Sequence, residues 1–423
     1  MKSHQFKFAI ILFLVIVTFL WYTSSFFGNT PQSLIRPIYK IMAIWGTIFI
    51  YIQYVLSTRL RWLERNFGLD RMLHQHRYFG RAGVVAITIH GILVLYSQWL
   101  RLGRFNFSTF ILIGIVALMG YYITAGLAST YKKINLRYET WKNIHLINYI
   151  LFPISLFHVW NYSTKGSFFY YLWIFFAATY LMIIAYRVHR IHTINTHPYT
   201  VVAVAQEAVD TWSLYFKGSA IKHKPGQFML ISLLRQGKRS ASHPFTISSS
   251  PDSDSISITP KELGDFTSTI KHTKLGDRAF IDAPYGIFSY LNLPQTNLVM
   301  LAGGIGITPF MSMLRYMKSY PYPYQITLLW GNKKEAQIAF KEELNQLAVA
   351  LPSFKWIPVM SHQSDWNGET GYLSFELIQK YHQLNDDTHF LLCGPPPMTQ
   401  AVLKFLSNAG ISRNRVHFEV FEL

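Results

Sequence analysis

Four histidines stand in or beside long apolar stretches of the chain: His76, His90, His145 and His158. Imidazole is a common metal ligand and a proton carrier, and hydrocarbon is a costly place to keep one without a task. His76 and His90 are 14 positions apart, and His145 and His158 are 13 apart. Either interval is close to four helical turns, so each pair returns to roughly one helix face with ~20 Å between its members. If the two helices run in the same direction, His76 lies level with His145 and His90 with His158. A haem at each level would take one imidazole from either side, giving two b-type haems. A single intramembrane histidine is more simply read as an interhelical hydrogen-bonding group or proton relay; two matched pairs favour ligation. His74 competes with His76, but its separation of 16 from His90 fits helical facing less well, so it is read as a solvated interfacial residue. Arg77 and Arg81, one turn apart, either neutralise the inner haem's propionates or anchor the helix.

Cys393 is the only cysteine, which excludes an intrachain disulfide and a cysteine-ligated iron–sulfur cluster. Other chemistry-bearing motifs cluster toward the C-terminus. LVMLAGGIGITP reads as a strand, then Gly303, Gly304 and Gly306, then Thr308 to cap a helix and Pro309 in its first turn. Such a turn lets backbone N–H groups approach a pyrophosphate. About 25 residues on, the next strand ends in Trp330, Gly331, Asn332, Lys333 and Lys334. Two lysines where an acid would hold the NAD ribose favour a 2′-phosphate, hence NADPH over NADH, although Glu335 follows directly. SHPFTISS places a hydroxyl beside Phe245 on a strand. KELGDFTSTI places Gly264, Asp265, Phe266 and Thr267 at an expected helix start, suited to a second pyrophosphate.

The elements that position these residues fall into two regimes. Apolar runs near 8–27, 38–57, 82–100, 107–128, 143–160 and 168–186 each approach the ~20 residues that cross a bilayer as a helix, giving six expected spans. The first is read as an uncleaved anchor; the alternative is a signal peptide, and removing it leaves the remaining topology as it is. Fourteen basic residues flank one set of connections, from Lys2 and Lys7 to Arg187 and Arg190, against five on the other: Arg36, Lys40, Arg101, Arg104 and Lys165. That asymmetry puts both termini and the soluble half in the cytoplasm. The net charge of +18 is therefore assigned to a lipid bilayer rather than to nucleic acid. Beyond the spans, short β-type runs suggest an antiparallel β-barrel, and from 297 strand and helix alternate as in a doubly wound parallel α/β domain. The expected architecture is a multi-domain membrane protein: a six-helix transmembrane bundle (1–195), a β-barrel (196–291) and an α/β nucleotide-binding domain (292–423).

These residues resemble one family along nearly the whole chain. The histidine pattern resembles the ferric-reductase transmembrane domain; HPFTISS, GDFT, DAPYG, GGIGITPF, CGPPPM and the terminal FEVFEL resemble its attached ferredoxin-reductase-type dehydrogenase. The bacterial NADPH oxidases are the most similar type, with ferric-chelate reductases as sister proteins. The resemblance implies that His243, Pro244, Phe245 and Thr246 hold the flavin of FAD, and that Gly264, Asp265, Phe266 and Thr267 lie near its pyrophosphate. It implies that Gly303, Gly304, Gly306, Thr308 and Pro309 cradle the nicotinamide cofactor's phosphates, with Lys333 at its 2′-phosphate. Gly394, Pro395 and Pro396 would border the nicotinamide together with Cys393, and Phe421 would cover the flavin face, Phe418 being the core-facing alternative. Lys333 stands where the family commonly has arginine. Val94 stands where some oxidases carry a further histidine beside the oxygen site; Arg36 or Lys40 could supply positive charge there. The implied activity is electron transfer from cytoplasmic NADPH through FAD and two haems to dioxygen outside, producing superoxide, in a bacterial inner membrane. The alternatives are a ferric or other metal-chelate reductase and a donor to a periplasmic redox protein. No EF-hand pattern or long insertion is present, so neither calcium nor an obligatory protein partner is expected.

Overall fold

A computed structural model describes residues 3–23 and 31–419, and the chain forms two compact units, Met1–Ile191 and His192–Leu423. The first unit is helical: α1 (Ser3–Thr23), α2 (Pro31–Ser57), α3 (Arg61–Phe67), α4 (Leu69–Leu102), α5 (Thr109–Thr130), α6 (Tyr138–His145), α7 (Asn148–Asn161) and α8 (Phe168–Thr196). Its polarity is reversed relative to a soluble bundle. Ile92, Val116, Leu181 and Met182 are exposed, while Tyr54, Tyr121 and Thr124 are buried. An apolar exterior suits lipid, where buried hydroxyls must find partners within the protein. Tyr51 accordingly donates to Thr179 at 2.7 Å, and Thr124 to Asn148 Oδ1 at 3.0 Å.

Among the described residues four helices are long and apolar enough to cross a membrane: Ile35–Ser57, Arg71–Leu102, Thr109–Thr130 and Phe168–Thr196. The expected count of six is therefore not reached. The described part of the first run lies within the 21-residue α1 (Ser3–Thr23), which is not among those four. The fifth is split, because the backbone tightens after His145: Ile147 N–H donates to Ile144 O and Ile150 N–H to Ile147 O. The 14-residue α7 that follows covers about 21 Å, short of the ~30 Å hydrocarbon core. The third run is longer than expected, so His76 lies inside α4 instead of preceding it.

The second unit begins with β1 (Tyr199–Ala208), β2 (Thr211–Lys217), β3 (Phe228–Arg235), β4 (Lys238–Arg239), β5 (His243–Thr246), β6 (Ile256–Ile258) and β7 (Arg278–Tyr285). They form one antiparallel sheet in the order β4-β3-β7-β1-β2-β6, with β5 on β3. Val201, Phe216, Met229, Ile231 and Ile281 pack inside it. In place of the expected barrel the strand order is open, and among the described residues β5 and β6 approach through one isolated bridge, Ile247 to Ile258.

Then come β8 (Leu298–Gly303), α9 (Thr308–Ser319), β9 (Ile326–Asn332), α10 (Lys341–Ala350), β10 (Phe354–Met360), β11 (Glu369–Thr370), α11 (Phe375–Tyr381), β12 (His389–Cys393), α12 (Pro396–Asn408) and β13 (Val416–Glu419). All pairs are parallel, in the order β11-β10-β9-β8-β12-β13. Every residue of β8 is buried, as expected for a parallel strand covered on both faces. α10 begins at Lys341, after Phe340 takes φ +56° and ends the preceding turn.

Buried histidines tie this unit's stability to pH. His382 is buried beneath β9, its Nδ1 2.8 Å from Thr327 Oγ1; burial, helped by the Lys355 charge, lowers its pKa to about 4. His417, stacked on His389 with rings 5.1 Å apart, is likewise lowered to about 4 by burial and by its His389 and Arg413 neighbours. Both stay neutral when folded but gain a proton near pH 6.5 when unfolded. The unfolded state thus binds more protons between those limits, and stability is lost as pH falls from about 6.5 toward 4. The thermal midpoint should drop across that window by about 2–4 °C per kcal/mol. His382→Asn, which keeps a polar atom near Nδ1, should flatten the slope; an unchanged slope would show that His382 does not contribute.

Candidate functional site

His76, His90, His145 and His158 meet in two pairs. His76 and His145 rings have centroids 6.0 Å apart, and His90 and His158 rings 6.4 Å apart. A metal atom accepting one nitrogen from each ring at about 2.0 Å, with about 1.1 Å from nitrogen to ring centre, sets the centroids about 6 Å apart. Both pairs therefore have the spacing that one shared metal requires. His90 and His76 share α4, as the spacing argument needed; His145 and His158 do not share a helix. His145 ends α6, and the Asn148 amide donates to its carbonyl at 2.8 Å, satisfying a group orphaned by the break. Among the described residues no cluster of three or more His, Cys, Asp or Glu side chains could hold a metal. A two-histidine site suits a metal whose remaining positions are filled by a macrocycle. His74 is exposed, as expected.

His90 and His158 also show how their tautomers are fixed. His90 Nδ1 lies 2.8 Å from Tyr39 O, and His158 Nδ1 2.6 Å from Phe110 O. A ring that donates Nδ1–H to a carbonyl leaves the Nε2 lone pair for a metal. Neither carbonyl is visible in a reading of side-chain types. Arg77 and Arg81 are both exposed.

In the second unit, strand order reverses between β8 and β12, which opens a crevice at their carboxyl ends. The GGIGITP and CGPPPM segments meet there. A Cβ on Gly306 would lie 2.2 Å from Cys393 O, and one on Gly303 would lie 2.3 Å from Met398 Sδ and 2.9 Å from Pro395 Cδ. Those two glycines are therefore required by close packing against the CGPPPM segment. Gly304 differs: its φ is +52°, nothing lies near its Cβ direction, and its carbonyl accepts from Trp330 Nε1 at 2.8 Å. Thr308 does not cap α9. Its hydroxyl donates to Ile305 O at 3.1 Å, because a 3-10 turn (Gly304–Ile307) enters the helix first. Pro309 occupies the first turn as expected, and Pro395 and Pro396 open α12. The Cys393 side chain is fully buried, and burial, aided by Glu419, raises its thiol pKa well above the ordinary value. It is held as a thiol, not a thiolate.

Lys333 and Lys334 are exposed at the tip of β9. The Glu335 carboxylate is turned to Lys341 at 2.7 Å. Asn332 Nδ2 is buried there without a hydrogen-bond partner among the described residues, a position the sequence did not single out.

His243 to Thr246 form β5, paired with β3. His243 stacks on Phe266 at 4.1 Å and 16°. Thr246 Oγ1 is buried with no partner among the described residues, an orphan that a ligand's polar edge fits. Gly264 to Thr267 lead into a 3-10 turn (Thr267–His272) instead of an α-helix start. The Leu263 and Gly264 N–H groups both donate to Thr267 Oγ1 at 3.0 Å, so two of the loop's donors face inward. Arg235, absent from the sequence reading, clamps this turn through Thr269 Oγ1 at 2.7 Å. Phe421 lies outside the described residues. Phe418, in β13, is partly buried beneath the Arg413 guanidinium at 4.7 Å.

Helices of membrane type are thus followed by an antiparallel and then a doubly wound sheet. Residues 41–156 match the ferric reductase like transmembrane component family, 209–289 an FAD-binding domain and 300–404 an oxidoreductase NAD-binding domain. In that order the three matches make the chain's domain arrangement similar to that of the ferric reductase-like, NADPH oxidase-type proteins. His76, His90 and His145 fall within the transmembrane match; His158 lies just past its end. The glycine betaine monooxygenase reductase subunit of Chromohalobacter salexigens is 29% identical over 241 residues, covering 54% of this chain and 65% of that protein. NADH-cytochrome b5 reductase 1 of Candida glabrata is 31% identical over 155 residues, covering 36% and 54%. A ferredoxin NADP+ reductase structure from Neisseria gonorrhoeae, with bound FAD and NADP, aligns at a TM-score of 0.48 and 19% identity, covering 53% of this chain and 98% of that one. The chain thus spans under two thirds of the length of these curated relatives.

Proposed function

We propose that this protein carries electrons from NADPH through FAD and two b-type haems to dioxygen on the far membrane face, releasing superoxide. The observation that carries the reading is the pair of facing imidazoles at each of two levels, each at the separation one iron needs. FAD supplies the conversion of a hydride into single electrons, and haem iron supplies one-electron carriage. The chain's own residues bind and orient. His76 with His145, and His90 with His158, would hold the two irons within a bundle spanning 1–195. In the domain 196–291, His243 to Thr246 would seat the flavin, with the orphaned Thr246 hydroxyl facing it; Gly264 to Thr267 would flank its pyrophosphate. In the domain 292–423, Gly303 to Gly306, Thr308 and Pro309 would receive the nicotinamide cofactor's phosphates. Gly394 to Pro396 and the Cys393 thiol would border its ring, and Phe421 would cover the flavin until the cofactor enters. Exposed Lys333 and Lys334, with Glu335 occupied by Lys341, favour the 2′-phosphate of NADPH. The lysine and arginine asymmetry supports placing both termini and the second unit in the cytoplasm of a bacterial plasma membrane.

The purified protein with FAD, and without calcium or a partner, should consume NADPH faster in air than under nitrogen. It should reduce cytochrome c in a manner that superoxide dismutase suppresses. Dismutase-insensitive activity with rapid reduction of a ferric chelate would replace oxygen by a metal complex as the acceptor.

A further inference from the structure

The four imidazoles are not held alike. At the outer level both Nδ1 atoms meet backbone carbonyls, at 2.8 Å for His90 and 2.6 Å for His158. At the inner level His76 Nδ1 finds no hydrogen bond of good geometry among the described residues, although the Gln53 backbone lies close. His145 Nδ1 approaches Asn148 Nδ2 only at 3.5 Å, beside the Thr124 backbone.

His158 reaches its carbonyl because a side chain is missing. In the i→i−4 ladder of α5, Phe110 O is the partner of Gly114 N–H. A Cβ at position 114 would lean over that same turn. Built there, it would stand 2.7 Å from His158 Cε1, 2.8 Å from Nδ1 and 3.3 Å from Nε2. The imidazole occupies the volume that any other residue's Cβ would need, and it cannot stay against Phe110 O once that volume is filled.

We propose that Gly114 is a positioning residue for the outer histidine pair. Its bare Cα admits the His158 ring against α5, Phe110 O takes the Nδ1–H, and this contact sets how strongly Nε2 donates to iron. The inference rests on the bis-haem reading and adds a residue from a helix that supplies no ligand. A carbonyl bonded to Nδ1–H raises imidazole basicity and favours the oxidised metal, so losing the contact raises the midpoint potential.

Gly114→Ala tests this against Gly120→Ala, on the same helix and facing the same neighbour. A Cβ at 120 has Leu151 as its nearest neighbour, the methyl groups at 2.6 Å. Purified proteins are titrated potentiometrically at their haem bands. Wild type and Gly120→Ala should show two components at the same potentials. In Gly114→Ala one component should move upward alone, its reduced-to-oxidised ratio at fixed potential rising roughly tenfold, about 59 mV for a one-electron couple. Loss of one haem, and only one, from Gly114→Ala also supports the assignment. Titration of Gly114→Ala identical to wild type, or an equal shift in Gly120→Ala, overturns it and leaves the two haems standing. A wild type without haem bands overturns the bis-haem reading instead. Should Gly114→Ala not accumulate, the redox-difference infrared spectrum of wild type with nitrogen-labelled histidine decides. Ring bands of a hydrogen-bonded Nδ1–H support the contact; bands of free Nδ1–H alone refute it.

Discussion

Alanine at His158, or at His90, should leave the purified protein with one haem in place of two. The rings of this pair face each other at 6.4 Å, and no third protein ligand stands by among the described residues to replace either. Removing a direct ligand should lower electron delivery to the acceptor by more than the 10–100-fold that loss of an outer-shell partner typically costs. Reduction of FAD by NADPH should continue at the wild-type rate, because the residues assigned to that step belong to the second unit. The haem-to-protein ratio by reduced pyridine adduct and stopped-flow flavin bleaching read the two halves separately. Two haems per chain in both variants would end the ligand assignment; slowed flavin bleaching would show the units to be interdependent.

The second large effect is expected at the tip of β9. Lys333→Glu combined with Lys334→Glu replaces two exposed cations with anions where a 2′-phosphate would lie. A hydrogen bond to a charged group contributes about 1.5–3 kcal/mol, so kcat/KM for NADPH should fall roughly 10–100-fold. The value for NADH should hold or rise, since the ribose hydroxyl donates to a carboxylate. A parallel fall for both cofactors would mean that the lysines support the fold and do not choose the nucleotide.

Much of this architecture was legible in the sequence because its signals are periodic. LVMLAGG, ITLLWGN and HFLLC became β8, β9 and β12 nearly residue for residue, since a parallel strand buried on both faces is largely apolar. The histidine pairing was legible for a less secure reason. For α4 the 3.6-residue repeat holds, whereas His145 and His158 sit on different helices and come level despite the break. Apolar composition does not report such a break, because Leu146 and Ile147 are as hydrophobic as a continuous helix would need. Thr308 was misjudged because a hydroxyl before a helix has two local outlets, the following N–H groups or a preceding carbonyl, and a 3-10 turn selects the second. Phe110 O, Tyr39 O and Gly114 were beyond reach: two are backbone atoms, and the third matters for what it lacks.

The interruption between α6 and α7 bears on how the protein is made. A helix of 14 residues is too short to partition into a bilayer by its own hydropathy. It instead lies along α5, where Leu151 fills the space at Gly120, the Ser155 hydroxyl faces Tyr121 OH at 3.2 Å, and Asn148 takes the Thr124 proton. Membrane insertion of this stretch should therefore rely on its contacts with α5, the two entering as a pair.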